Sequence, residues 1–222
     1  MKLLRLTLIL AALAAPAQAQ EPPKAADLLF EAPQFAAAPA GTTLTYDYRR
    51  KAQDAEAFGP AFADRIILTV AAPEAGHPET ERTVQVNFFT GERHRAAGPF
   101  EGVTGNPVMI LFLENHIRDL SARLSGNARY FKNAIRAALR DRAEVRPATV
   151  PLHGSDVPGW QIRVRPFVGD PNAERMRGLE GLTYTFTVSP QVPGAIAAIA
   201  VEAPGPAGTP LWEETLAYDP KG

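Results

Sequence analysis

The sequence predicts an α+β protein: a curved antiparallel β-sheet of about eight or nine strands, with a central helix pair packed on one face. Three observations carry that reading. Two blocks of the chain alternate apolar and polar residues at the two-residue period of a half-buried strand. The stretch between them changes to the spacing of an amphipathic helix. Links within each block are short, whereas parallel crossovers need a dozen or more residues, so consecutive strands pair antiparallel.

The N-terminal residues stand apart from that body. Lys2 and Arg5 give a positive start, and Leu6–Ala15 is an apolar run. Ala17 and Ala19 then place small residues just ahead of a cut between Ala19 and Gln20. This is the form of a secretory signal peptide, residues 1–19. The apolar run is shorter than the roughly 20 residues that a membrane-crossing helix needs. The expected location is therefore the periplasm, or the medium beyond it, with no transmembrane anchor left after cleavage. Residues 20–41 form an Ala/Pro-rich lead segment. Its apolar residues Leu28, Leu29, Phe30 and Phe35 suggest an edge strand, and the rest reads as linker. Residues 42–222 are expected to form one domain.

Within that domain, Thr43–Arg49 alternates and predicts the first strand. Residues 51–63 read as a loop or short helix. Ile66–Val70 and Thr83–Phe89 predict two more strands, separated by a turn from Pro73 to Thr80. Thr90-Gly91-Glu92 turns the chain into a poorer strand ending near Phe100. Asn106-Pro107 then fits an N-cap followed by proline in the first helical turn. Met109, Leu113, His116, Ile117, Leu120 and Leu124 recur at helical spacing, and Gly126 fits the left-handed position past the helix end. A second helix from Asn127 to Arg142 carries Phe131, Ile135, Ala138 and Leu139 as its apolar stripe. Strand signals return after Glu144. Pro158-Gly159 reads as a turn, followed by alternating Trp160–Arg165, a loop or short helix to about Leu179, and strands at Leu182–Val188, Ala195–Val201 and Leu211–Tyr218.

Composition excludes several chemistries. The chain has 222 residues, 45% hydrophobic, and no cysteine. There is consequently no disulfide scaffold, thiolate zinc site, thiol nucleophile or lipid-modified cysteine. Lys and Arg (23) nearly balance Asp and Glu (24), so nucleic acid is not an expected partner. None of His77, His94, His116 and His153 falls in a His-x-His or His-Glu-x-x-His arrangement, and neither a metal nor a cofactor is predicted.

Glu114, His116 and Asp119 share the first helix, with His116 and Asp119 three residues apart. They read as helical neighbours, because two residues do not complete a site. His153, Ser155 and Asp156 have the residue types of a hydrolase triad. Triad members are normally brought together from distant segments, and no Gly-x-Ser-x-Gly elbow occurs. The stretch from Gly154 to Gly159 reads better as a hairpin loop, and no catalytic residue is assigned.

Two binding surfaces remain. Tyr46, Tyr48, Phe88, Trp160, Tyr184 and Phe186 are large apolar residues that could line a ligand pocket under the helices. Arg129, Lys132, Arg136 and Arg140 step by three or four along the second helix. They form a basic face suited to an acidic envelope component.

Asn106–Glu114, Tyr130–Arg136 and Arg165-Pro166-Phe167 resemble segments of a group of secreted proteins of Gram-negative bacteria to which no activity is assigned. The resemblance implies a periplasmic compartment and nothing about chemistry. In architecture alone, the predicted sheet with inserted helices is similar to periplasmic lipoprotein carriers of the LolA/LolB type, and likeness of fold does not carry function. The expected function is a non-catalytic binding or carrier protein for an apolar or lipid-like small molecule held between sheet and helices. An envelope interaction protein using the basic helix face is the alternative, and an envelope hydrolase the third reading.

Overall fold

The computed structural model describes residues 22–222; the expected signal peptide lies outside the described residues. Nine strands form one antiparallel sheet: β1 (Thr43–Ala52), β2 (Phe62–Ala71), β3 (Arg82–Phe88), β4 (Arg95–Val103), β5 (Glu144–Leu152), β6 (Ser155–Val164), β7 (Thr183–Val188), β8 (Ile196–Ala203) and β9 (Trp212–Asp219). A single helical turn, α1 (Ala55–Phe58), follows β1. Two long helices, α2 (Pro107–Arg123) and α3 (Ala128–Asp141), separate β4 from β5. The predicted fold class holds: an α+β protein with an open, curved antiparallel sheet and a central helix pair.

The strand order is β4-β3-β2-β1-β9-β8-β7-β6-β5. The first four strands step outward from the centre to one edge. The helix pair carries the chain to the opposite edge, and the last five strands step back inward. The first and last strands thus meet in the middle of the sheet, with Tyr46 opposite Tyr218 and Tyr48 opposite Leu216. Both sheet edges carry proline: Pro99 in β4, and Pro147 and Pro151 in β5. An edge is where a missing N–H interrupts no ladder, and proline there discourages pairing with other chains.

Inward positions of neighbouring strands are in phase, as strand alternation requires. Leu44, Tyr46 and Tyr48 of β1 share the buried face with Ile66, Leu68 and Val70 of β2, Trp212 and Leu216 of β9, and Tyr184 and Phe186 of β7. From the helices come Phe112, Leu120, Phe131, Ile135 and Leu139. Two charged residues, Arg50 and Glu214, lie on this same face and are buried.

Three local expectations are corrected. Residues Asp27–Glu31 form a turn of π-helix, not an edge strand, and the lead segment is no linker: Leu29, Phe35 and Ala38 are core residues. The Gln34 side chain fastens it to the body, accepting from the Asn106 backbone N–H at 2.6 Å. After α2 the left-handed residue is Ser125 (φ 48°), not Gly126. Gly126 is needed for room, since a Cβ there would come within 2.7 Å of the Phe131 ring. The turn between β5 and β6 is His153-Gly154, both at positive φ (50° and 81°), the pattern of a tight two-residue hairpin. Pro158-Gly159 lies inside β6, where strand β7 passes so close that no side chain fits at 159.

Candidate functional site

Five arginines converge at one corner of the molecule, around a cavity of about 300 Å³. Arg50 comes from the end of β1, Arg93 from the β3–β4 turn, Arg95 from the start of β4, and Arg118 and Arg123 from α2. Asp119 is the single carboxylate in the wall, and Pro60, Phe62 and Phe89 supply its apolar part. Asn115, Asp119 and Arg123 are four apart, so one stripe of α2 faces the cavity.

Each guanidinium is held by a specific contact. Arg50 donates to Asp119 Oδ2 at 2.8 Å and to the Phe58 carbonyl. Its plane lies 5.3 Å from the Trp212 ring, and Arg123 lies 5.6 Å from the same ring. Gly59 (φ 84°) is wedged against both groups, and a Cβ there would collide with them. Arg93 stacks on Phe62 at 4.2 Å and Arg95 on Phe88 at 4.5 Å. Asn115 Oδ1 accepts from Arg95 at 2.7 Å and from Arg118 at 2.6 Å, so a neutral amide holds two like charges side by side. The crowding registers in the titration of the cations. Burial, and after it the Arg118 charge, pulls Arg95 below its usual value. Burial and then Arg50 do the same to Arg123. The buried Nε groups of Arg50 and Arg123 find no acceptor among the described residues.

Behind the arginines runs a sealed polar chain. Tyr184 lies 2.8 Å from His116 Nε2, and His116 Nδ1 lies 3.2 Å from Glu214 Oε2. Burial, then the Glu214 charge, pushes the Tyr184 phenol well above its ordinary value, so it keeps its proton. Donation of that proton to Nε2 leaves the ring hydrogen on Nδ1, facing Glu214. The other Glu214 oxygen accepts from the Trp212 indole at 3.2 Å. His116 and Glu214 are both fully buried, so this chain meets no substrate. It fixes the indole face on which Arg50 and Arg123 rest. Arginine itself stays protonated and cannot act as a general base. The corner therefore gathers positive charge and many N–H donors around one cavity.

The residues singled out from the sequence are distributed differently. Tyr46, Tyr48, Phe88, Tyr184 and Phe186 are wholly buried and Trp160 is half-buried. They fill the interval between sheet and helices as core, because the curved sheet closes over α2 and α3. Tyr48 packs on Phe89 at 4.9 Å and on Phe112 at 6.1 Å. On α3, Lys132 pairs with Glu114 of α2, and Arg140 with Asp141; Arg129 and Arg136 are exposed. His116 does not meet Asp119, which is taken by Arg50. His153, Ser155 and Asp156 are exposed at a hairpin.

A second concavity, of about 290 Å³, lies between the helices. Leu113, Ile117, Ile135 and Leu139 form its floor, with the exposed Phe30 and Ile110, and Lys132 and Arg136 border it. Residues 110, 113 and 117 fall on the side of α2 opposite 115, 119 and 123, so the two concavities are separate.

No helix among the described residues is long and apolar enough to cross a membrane. No three His, Asp or Glu side chains among them are grouped to hold a metal. No family model and no curated protein matches the sequence.

Proposed function

We propose that the protein is a periplasmic binding protein, delivered by the signal peptide at residues 1–19, whose ligand is an anion seated among the five arginines. One observation carries the reading: five guanidinium groups from three separate parts of the fold face one cavity containing one carboxylate. Holding like charges together is unfavourable unless an opposite charge offsets it. The protein maintains the arrangement with Asn115, the Trp212 face and the buried Glu214. The chain as a whole is nearly neutral, at net charge −1, so the concentration of cations is local.

The reading is checked by thermal unfolding and calorimetric titration of the mature chain. Sulfate, phosphate or succinate should raise the melting temperature, whereas the same ionic strength of chloride should not. Replacing the two exposed arginines, Arg93→Gln with Arg118→Gln, should lower affinity at least tenfold without lowering the unliganded melting temperature. If no polyvalent anion stabilises the protein beyond chloride, the reading is wrong.

A carrier of an acyl chain is the second reading, and the apolar groove between α2 and α3 favours it. Solvent extraction of purified protein, followed by mass spectrometry, should then recover a lipid. Replacing Ile117 with Asp should abolish that recovery.

A further inference from the structure

We infer that the anion is a phosphomonoester carrying two negative charges, an inference that rests on the anion-binding reading and names its ligand class. The first argument is directional. The guanidinium groups reach the cavity from three separate parts of the fold: the end of β1, the β3–β4 turn with the start of β4, and α2. A carboxylate presents both oxygens in a single plane and is satisfied by one or two coplanar forks. The terminal phosphate of a monoester presents three oxygens around a tetrahedron, each with room for more than one donor.

The second argument is charge. Asp119 in the wall and Glu214 behind Trp212 bring two negative charges against five cations, and Asn115 spaces two of the arginines without neutralising either. A dianion relieves this crowding more than a phosphodiester or a monocarboxylate, which bring one charge each. The third is the unmatched donors. Arg50 is only 5% exposed, and its Nε and that of Arg123 are buried without an acceptor among the described residues. Buried donors of that kind are costly unless paired, and a phosphate oxygen reaches them once the guanidinium turns toward the cavity. Finally, Pro60, Phe62 and Phe89 give the cavity an apolar side. That side suits the carbon skeleton on the fourth, ester oxygen.

The same phosphate could belong to a free metabolite or to a lipid headgroup, and the experiment separates the two. The probes are glycerol phosphate, phosphatidylcholine vesicles containing phosphatidate, and sulfate and succinate as reference anions, titrated calorimetrically into the full mature chain. A phosphomonoester gains its second charge near about pH 6. Affinity for glycerol phosphate should therefore rise about tenfold between about pH 5 and about pH 8. Sulfate is doubly charged throughout that range and should bind with unchanged affinity. No histidine lines the cavity, where Asp119 is the one carboxylate, and the sulfate arm reports any change in the protein itself. Arg93→Gln with Arg118→Gln should remove the pH-dependent binding without lowering the unliganded melting temperature. Tight capture by phosphatidate vesicles but not by glycerol phosphate, with the same rise in affinity, assigns the phosphate to a lipid and upholds the inference. Succinate binding as tightly as glycerol phosphate, or a flat pH profile for the phosphate ligands, overturns the phosphomonoester and leaves the anion site standing. Failure of every anion overturns both.

Discussion

A tyrosine hydroxyl in a core needs a partner, and three inward tyrosines meet that need differently. Tyr46 accepts from the Asn106 amide at 2.9 Å, Tyr184 donates to His116, and the Tyr48 hydroxyl has no partner among the described residues. Tyr184→Phe should destabilise by about 1–3 kcal/mol, because His116 Nε2 is left buried and unpaired. Tyr48→Phe removes a hydroxyl that lies beside Glu214 but within hydrogen-bond geometry of no described residue, and should change stability by less than about 1 kcal/mol. Denaturant unfolding of the two variants makes the comparison. At this scale the site was poorly legible in the sequence, for a physical reason: its arginines lie on segments far apart in the chain and share no spacing. A signal was nevertheless present. Arg50 continues the inward phase of Leu44, Tyr46 and Tyr48, and Glu214 falls between inward Trp212 and Leu216. A charge on the apolar phase of a strand marks a buried polar cluster. His116 gave the same sign inside the apolar stripe of its helix.

Each long helix opens on an asparagine whose side chain accepts from the backbone: Asn106 from Val108 N–H at 3.0 Å, and Asn127 from Arg129 N–H at 2.8 Å. The two caps differ in depth. Asn127 is exposed, and Asn127→Ala should cost about 1 kcal/mol, the usual value of a cap. Asn106 is buried and also donates to Tyr46 and to the Gly194 carbonyl. Asn106→Ala should therefore cost about 2–4 kcal/mol, the cap plus two buried acceptors left unmatched. Paired thermal melts measure the difference. Helices and strands were the legible part of the chain, since their periods are written in local residue order. The β3–β4 edge was less so: Ala96, Ala97, Gly98 and Pro99 give almost no alternation, and register shifts interrupt the pairing. The turns were misplaced where φ had to be positive at a residue other than glycine, as at Ser125 and His153, which composition alone does not announce.

For the molecule as a whole, the buried phenols set an alkaline limit. Burial is the main cause of the raised values at Tyr46, Tyr48 and Tyr184, and the Glu214 charge adds to it at Tyr48 and Tyr184. In the unfolded chain tyrosines titrate near about pH 10. The folded state holds these protons more tightly, so their contribution to stability is complete below about pH 10 and is lost as the pH rises above it. The melting temperature followed by circular dichroism should fall steeply above about pH 10, and less steeply in Tyr48→Phe. The cysteine-free body has no covalent staple to oppose that fall.

The meeting of β1 and β9 at the sheet centre also dictates an order of assembly. Before β9 is in place, the chain holds both halves of the sheet and nothing to join them. Until Trp212–Asp219 arrives, β1 and β8 each present an open row of backbone donors and acceptors, the arrangement that invites pairing with another chain. The same last strand supplies the carboxylate for His116 and the ring beneath Arg50 and Arg123. Continuity of the sheet and readiness of the arginine corner therefore depend on the same strand. Without β9 the two halves of the sheet stay apart and the arginine corner loses its support.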